Sequence, residues 1–193
     1  MDKKLFIPIL LGTDREPRMS EKVANFLLPK VQAHPDIETQ LFDVAAMNMP
    51  ATGEGEDLKD QVPQWRDAII RADGLIIISP EYNHGYSGSL KRVLDTLLRE
   101  YVHKAVGLVG VSSGGWGGVR GIEALVNVVR ELGLTVTFTD LQTPRVEKLF
   151  DAQGNMTDPA YDKRIDSFLT ELVWMAKVLR WGRENVPSKF HAA

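Results

Sequence analysis

The chain has 193 residues, of which 44% are hydrophobic and 25% are charged, and these figures predict one globular domain over residues 1–193. The 23 Lys and Arg residues nearly balance 26 Asp and Glu residues, and the net charge of −3 excludes the basic field that nucleic acid or an anionic membrane would need. The chain has no cysteine, which excludes disulfides, cysteine-ligated metals, iron–sulfur clusters and a thiolate nucleophile. Any redox chemistry must therefore be carried by an organic cofactor.

Hydropathy sets an expectation for location. No run of about 18 apolar residues predicts a membrane-spanning helix, and the first residues lack the apolar core of a signal peptide. We therefore expect a cytoplasmic protein with no membrane partner and no nucleic-acid partner.

Five short apolar runs predict strands, and they alternate with amphipathic stretches in the manner of β–α units around a parallel sheet. In chain order the predicted strands are residues 5–11, 38–44, 75–79, 105–111 and 134–138. Pro8 lies inside the first run, where it removes a ladder hydrogen bond, so we expect a local bulge there.

Apolar residues at helical spacing predict five helices, around residues 23–31, 62–72, 90–98, 122–132 and 165–179. Pro29 should kink or shorten the first helix, Gly133 is suited to ending the fourth, and Asp158-Pro159 is suited to starting the last. The acidic residues 54–60 are typical of a solvated loop. The alternation predicts an α/β, flavodoxin-like, doubly wound fold with a five-stranded parallel sheet in the order 2-1-3-4-5 and helices on both faces.

In such a sheet, ligands bind beyond the carboxyl ends of the strands, so the loops after the first, third and fourth strands are the candidate site. The first loop offers a tight turn at Gly12, hydroxyls at Thr13 and Ser20, and the cations Arg15 and Arg18, a set that suits a phosphate monoester. The alternative is that Ser20 only caps the following helix and the arginines lie on the surface. Neither a Walker A pattern nor G-x-G-x-x-G follows this strand.

The loop after the third strand, residues 80–89, contains two tyrosines and two turn glycines, which can lie along a flat ring and offer backbone donors to its edge. The alternative is an ordinary loop in which Ser89 caps the next helix and His84 is a surface residue.

The loop after the fourth strand, residues 112–118, has four glycines that allow the backbone to approach a ligand closely. It also contains Trp116, a side chain that is costly to expose to water without a function. Residues 110–114 also fit the G-x-S-x-G nucleophile elbow of hydrolases, with Ser112 as nucleophile. Asp140 or Asp151 and then His191 follow in the required order. We disfavour this interpretation because His191 lies close to the C-terminus and because it leaves the other two loops unexplained.

With these three loops the sequence resembles the NADPH-dependent FMN reductase family, flavodoxin-like proteins that include flavin, quinone, azo-dye and chromate reductases. The resemblance is carried by the run from Ser79 to Asn83, by residues 88–91, and by a first loop similar to G-[ST]-x-R-x-x-S-x-S. Arg18 and Met19 depart from that last pattern.

The resemblance implies that the first loop holds the FMN phosphate, the third lines the isoalloxazine and the fourth approaches its pyrimidine side. The implied cofactor-binding residues are Gly12, Thr13, Arg15, Arg18, Ser20, Pro80, Glu81, Tyr82, Asn83, Ser112, Ser113, Gly114 and Gly115. Candidates for the substrate pocket are His84, Tyr86 and Trp116.

The activity implied by the resemblance is hydride transfer from NADPH, or from NADH, through N5 of FMN to a small acceptor such as a flavin, quinone, azo compound or chromate. We assign no side chain an acid–base role and expect no metal. Arg15, Arg18 and Arg120 are candidate partners for the 2′-phosphate of NADPH. The resemblance also implies a homodimer or homotetramer. The alternatives are an FMN electron carrier without nicotinamide activity and the serine hydrolase.

Overall fold

The strands of the central sheet all pair in parallel, as seen in a computed structural model that describes residues 3–50, 52–53 and 55–190. In chain order the strand segments are β1 Leu5–Phe6, β2 Ile9–Leu11, β3 Ile37–Glu38, β4 Leu41–Asp43, β5 Gly74–Pro80, β6 Ala105–Val111, β7 Thr135–Val136 and β8 Leu141–Thr143. The α-helices are α1 Ser20–Ala33, α2 Pro63–Arg71, α3 Gly88–Leu94, α4 Val119–Glu131 and α5 Ala160–Asn185.

The sheet order is β4-β2-β5-β6-β7, with β8 also pairing with β6, and β1 pairs with β3. Segments β1 and β2 form the first predicted strand, β3 and β4 the second, and β7 lies within the fifth. The order 2-1-3-4-5 and the flavodoxin-like fold are therefore confirmed.

Pro8 explains why the first strand is divided. Its two neighbours still reach the second strand, because the Ile7 and Ile9 amides donate to the Glu38 and Gln40 carbonyls at 2.9 Å each. The Pro8 carbonyl itself accepts from the Ile76 amide at 3.0 Å. The proline thus costs one donor and leaves the strand in place.

Three local predictions need correction. Helix α1 continues beyond Pro29 to Ala33, so the expected shortening is wrong. The stretch that was expected to be a solvated loop is a 3₁₀ helix at Gly55–Gln61, in which Leu58 is buried; Glu54 lies outside the described residues. Segment β8 was missed because Leu141 is its one strongly apolar residue.

Two apolar cores cover the two faces of the sheet. One packs α1 and α5 against the sheet, and the other packs α2, α3 and α4. Within the described part of the chain, no helix is both long and apolar enough to cross a membrane. The parallel strands leave their carboxyl ends, and the loops that follow β2, β5, β6 and β8, along one edge.

Candidate functional site

The first loop approaches the sheet closely at Gly12. A Cβ at this position would lie 2.9 Å from the Ile78 carbonyl oxygen, so only glycine fits there without movement. The next residue, Thr13, is fully buried, and its Oγ1 lies 2.9 Å from the Tyr82 hydroxyl and accepts from the Arg15 amide at 3.2 Å. The first and third loops are therefore connected through side chains.

Ser20 lies at the first residue of α1 and is 2% exposed. Its Oγ atom is buried and has no hydrogen-bond partner among the described residues. The Lys22 and Val23 amides donate to the Met19 carbonyl at 3.1 and 3.4 Å, and the helix dipole favours an anion at this end. The alternative that Ser20 is only a cap is not supported, because no side-chain cap is formed at this helix start.

The two arginines of the first loop have different surroundings. Arg15 is exposed, and its guanidinium carbon lies 5.6 Å from the centre of the Tyr82 ring. Arg18 donates to both carboxylate oxygens of Asp43 and, at 2.6 Å, to the Thr13 carbonyl. The Asp43 hydrogen bond raises the pKa of Arg18. Arg18 therefore fastens the loop to the end of β4, and Arg15 is left available to a ligand.

The third loop turns back sharply after Tyr82. The amides and carbonyls of Tyr82 and Gly85 bond reciprocally at 2.8 and 2.9 Å, and Asn83 and His84 between them have φ of 49° and 67°. This is the backbone of a two-residue hairpin turn, which Asn adopts more readily than most residues. His84 lies exposed at its tip, while Tyr86 is half-buried against the core on that face of the sheet.

Ser87 fixes this loop, and sequence reasoning did not identify it. Its Oγ accepts from the Leu90 amide at 3.0 Å, which caps α3, and donates to the Gly12 carbonyl at 2.6 Å. The expectation that Ser89 caps α3 is therefore wrong. The sequence Ser-Gly-Ser offered two equivalent caps, and the choice depends on the distant Gly12 carbonyl.

Glu81 connects the third loop to the helix that follows the fourth. Arg120 donates to Glu81 Oε1 from Nε at 2.9 Å and lies 2.6 Å from it through Nη2. The Glu81 side chain is 5% exposed, and its Oε2 has no partner among the described residues. Arg120, a candidate for the 2′-phosphate, is thus already paired.

The fourth loop presents backbone at its surface. Ser112 Oγ accepts from the Gly114 amide at 3.0 Å, and Ser113, Gly114 and Gly115 are exposed. Gly118 has φ of 88°, and a Cβ there would lie 2.6 Å from the Val111 nitrogen, so this glycine permits the close return of the chain. Trp116 is 69% exposed.

Arg145, after β8, is a further residue that sequence reasoning missed. Its amide donates to the Gly114 carbonyl at 3.0 Å, and its Nη2 lies 3.5 Å from the position that a Cβ of Gly115 would take. Arg145 could have been recognised from the sequence only if β8 had been predicted, because that strand places Arg145 at the carboxyl edge of the sheet.

The hydrolase interpretation lacks its geometry. Helix α4 begins at Val119, seven residues after Ser112, and Ser112 does not take the strained turn of a nucleophile elbow. The Asp151 carboxylate accepts from the Gln153 and Asn155 amides at 2.9 and 2.8 Å. His191 lies outside the described residues.

The fold defines a flavodoxin-like protein, with the first, third and fourth loops meeting at the carboxyl ends of its parallel strands. A family model, described as NADPH-dependent FMN reductase, matches residues 7–143. The chain belongs to that family. It is an enzyme, an FMN-dependent NAD(P)H oxidoreductase that acts on small acceptors, and the predictions of family, enzyme class and cofactors are confirmed.

Named relatives agree with this assignment. An FMN-dependent NADPH-azoreductase of Staphylococcus haemolyticus is 27% identical over 86% of this chain and 92% of its own. An NADPH azoreductase of Bacillus sp. (strain OY1-2) is 30% identical over 61% of this chain, and the match spans 64% of that enzyme. Among solved structures, the NAD(P)H:acceptor oxidoreductase FerB of Paracoccus denitrificans has a TM-score of 0.72 at 22% identity, over 90% of this chain and 98% of that one.

Proposed function

We propose that the first loop and the start of α1 hold the phosphate of FMN. The observation that carries this proposal is the buried Ser20 Oγ, which has no partner among the described residues and lies beside first-turn amides. A buried hydroxyl without a partner costs free energy, and a phosphate oxygen would remove that cost. Thr13 sets the loop, and the exposed Arg15 supplies the charge.

Two backbone-rich walls would hold the isoalloxazine. The hairpin turn of the third loop presents residues 80–83, and the fourth loop presents residues 112–115. A hydrogen bond to a neighbouring segment holds each wall in place. Ser87 donates to the Gly12 carbonyl for the third loop, and the Arg145 amide donates to the Gly114 carbonyl for the fourth. Backbone amides held in this way act as fixed donors toward charge at the ring edge, which explains why glycines and turn residues dominate.

When bound, FMN would supply the redox chemistry, since it can take a hydride from nicotinamide and pass it to the acceptor. The protein's own work is to orient the ring and to supply donors of fixed geometry. His84 at the hairpin tip, the half-buried Tyr86 and the exposed Trp116 would border the acceptor.

For the acceptor we propose an azo compound as the first class to test, because the curated relatives above are named azoreductases. The aromatic side chains of Tyr86 and Trp116 at the border suit a flat aromatic acceptor.

The experiment is an anaerobic titration of the FMN-loaded protein with NADPH, followed by visible absorbance. Loss of the oxidised flavin band, and its return on addition of an azo dye, would support the reductase. Bound FMN that keeps its band in NADPH would indicate the electron carrier instead. Protein that remains colourless after FMN is supplied would contradict the proposal.

We also propose that the protein is a homodimer or homotetramer of single-domain subunits in the cytoplasm. Trp65 is buried, whereas Trp174 and Trp181, both on α5, are 57% and 62% exposed. Large apolar surface of this kind is typical of interfaces. Light scattering on the eluted protein tests the subunit number, and a mass of 21.6 kDa would contradict an oligomer.

A further inference from the structure

A cavity of about 530 Å³ lies beside the fourth loop. Gly115 and Trp116 of that loop line it, together with Thr139 and Asp140 before β8 and Arg164 of α5; we call it the Trp116 cavity. Its volume falls within the range of about 300–1,000 Å³ that is usual for small-molecule sites. Because Gly115 belongs both to this cavity and to the proposed flavin wall, the two sites are continuous.

Two polar atoms in the wall of the Trp116 cavity lack partners. Thr139 Oγ1 and Asp140 Oδ1 are buried, and neither has a hydrogen-bond partner among the described residues. Burial, with a smaller contribution from Glu123, raises the pKa of Asp140 to about 6. Unpaired buried oxygens need a donor, which a ligand with amino or hydroxyl groups can provide.

The same cavity has an aromatic face, Trp116, and a cation, Arg164. Trp116 is 69% exposed, although it is among the side chains most costly to leave in water. Arg164 lies with its guanidinium carbon 4.9 Å from the Tyr161 ring centre, and no carboxylate in the described part of the chain pairs with it. Arg145 does not line the cavity, although its Nη2 lies 3.5 Å from the position that a Cβ of Gly115 would take. This combination suits an aromatic base attached to a phosphate.

We propose that the Trp116 cavity binds the adenosine-phosphate half of NADPH, an inference that rests on the proposed function. The adenine stacks on Trp116, and its amino group or the ribose hydroxyls donate to Thr139 and Asp140. Arg164 pairs with the 2′-phosphate. The fourth loop, which carries Gly115 and Trp116, borders both the proposed flavin site and this cavity, so a dinucleotide whose nicotinamide stacks on the flavin can extend its other half into the cavity.

A second cleft near the site, of about 450 Å³, fits this ligand less well. Among its described lining residues there is no aromatic ring, and Asp14 adds negative charge. Its cation, Arg92, donates to the carbonyls of Pro50, Thr52 and Gly53.

The cations that the sequence suggested for the 2′-phosphate are also less suitable. Arg18 is paired with Asp43 and Arg120 with Glu81, while Arg15 is needed at the FMN phosphate. Recognition of the 2′-phosphate is therefore assigned to Arg164.

The test uses 2′,5′-ADP as the probe, titrated calorimetrically into the FMN-loaded protein. We expect Arg164→Gln and Trp116→Ala each to weaken binding of 2′,5′-ADP by about tenfold or more, as loss of a charge-assisted contact or of a stacked base does. Trp116→Phe should retain most of the affinity. The matched charge control is Arg130→Gln, at the exposed end of α4 on the opposite edge of the sheet, which should bind 2′,5′-ADP like the wild type.

Steady-state kinetics provide a second measurement. Arg164→Gln should raise KM for NADPH with little change in kcat, because the adenosine half does not react, and should leave KM for NADH nearly unchanged. Wild-type affinity for 2′,5′-ADP in both Arg164→Gln and Trp116→Ala would overturn the inference. So would wild-type protein that is reduced by NADPH but does not bind 2′,5′-ADP, and that result would leave the proposed function intact. Failure of NADPH to reduce bound FMN would instead overturn the proposed function and the inference with it.

Discussion

Buried polar side chains at the amino edge of the sheet have hydrogen-bond partners within the chain, whereas two at the carboxyl edge have atoms that lack one in the described part of the chain. At the amino edge, the Asp73 carboxylate accepts from the Phe6 amide at 3.0 Å, from Arg180 at 3.1 Å and from Arg183 at 2.9 Å. At the carboxyl edge, Ser20 Oγ and Glu81 Oε2 are equally buried but have no partner among the described residues. Partners within the chain contribute to stability, whereas unpaired atoms are available to a ligand.

A second buried polar side chain at the amino edge, Lys104, is also paired within the chain. Lys104 is buried immediately before β6, and its Nζ donates to the Ile69 carbonyl and, at 3.0 Å, to the Ile70 carbonyl at the end of α2. Burial lowers the pKa of Lys104 to about 7. Together with Asp73, this lysine joins α2 and α5 to the sheet. We therefore expect mutations at the amino edge to change stability and mutations at the carboxyl edge to change binding.

The largest expected effect is on stability, from Asp73→Ala. The change leaves the buried Phe6 amide without an acceptor and removes the carboxylate that pairs with Arg180 and Arg183, so we expect a loss of about 3 kcal/mol in the free energy of unfolding. Urea denaturation measures it, and FMN affinity below the transition should be unchanged. The control is Asp162→Ala, which removes an exposed pair with Lys30 and should cost at most about 0.5 kcal/mol. Equal losses in the two variants would contradict the account.

Arg15→Ala should produce the complementary result at the carboxyl edge. We expect FMN binding to weaken by about 2 kcal/mol, because one charge-assisted contact to the phosphate is lost. The apoprotein should unfold at the wild-type urea concentration, since Arg15 is exposed. Arg15→Lys should restore part of the affinity. An unchanged FMN Kd in Arg15→Ala would remove this residue from the phosphate site.

Ser20→Ala distinguishes an atom available to a ligand from one that stabilises the fold. FMN affinity should fall by about 1 kcal/mol, the usual value of one hydrogen bond. The apoprotein should be as stable as the wild type or more stable, because a buried hydroxyl without a partner has been removed. Calorimetric titration and urea denaturation of the apoprotein measure the two quantities. Lower apoprotein stability with unchanged FMN affinity would indicate a structural role for Ser20.

The smallest effect concerns Asp140 and depends on pH. Its folded pKa of about 6 lies above its ordinary value of 3.8, so its favourable contribution to stability is full below about pH 4 and is lost as pH rises through 6. Asp140→Asn does not titrate, so its stability relative to wild type should increase between pH 4 and 7 by less than about 1 kcal/mol, given the partial exposure of Asp140. Urea denaturation at several pH values measures this difference, and a constant difference would contradict the assignment.

The sequence predicted the architecture because apolar periodicity depends on local residues. The β5 and β6 runs, the start of α5 after Asp158-Pro159 and the end of α4 before Gly133 were all read from neighbours in the chain. Local pattern also located the three loops, since parallel strands bring their carboxyl ends together.

What the sequence missed depends on distant partners. The choice of Ser87 over Ser89 as the α3 cap follows from the Gly12 carbonyl, 75 positions away, and the attachment of Arg18 follows from Asp43. Arg145 and β8 went unrecognised because pairing with β6, rather than hydrophobicity, makes residues 141–143 a strand. Such contacts carry no periodic signal.

The central claim, that the first loop and the start of α1 bind a cofactor phosphate, is tested most directly by comparing FMN with riboflavin. Both ligands are titrated into the apoprotein by calorimetry, and they differ only in the phosphate. We expect FMN to bind at least about 100-fold more tightly, as two or more charge-assisted contacts imply. Arg15→Ala and Ser20→Ala should reduce that ratio without changing riboflavin affinity. Equal Kd values for FMN and riboflavin in the wild-type protein would contradict the claim.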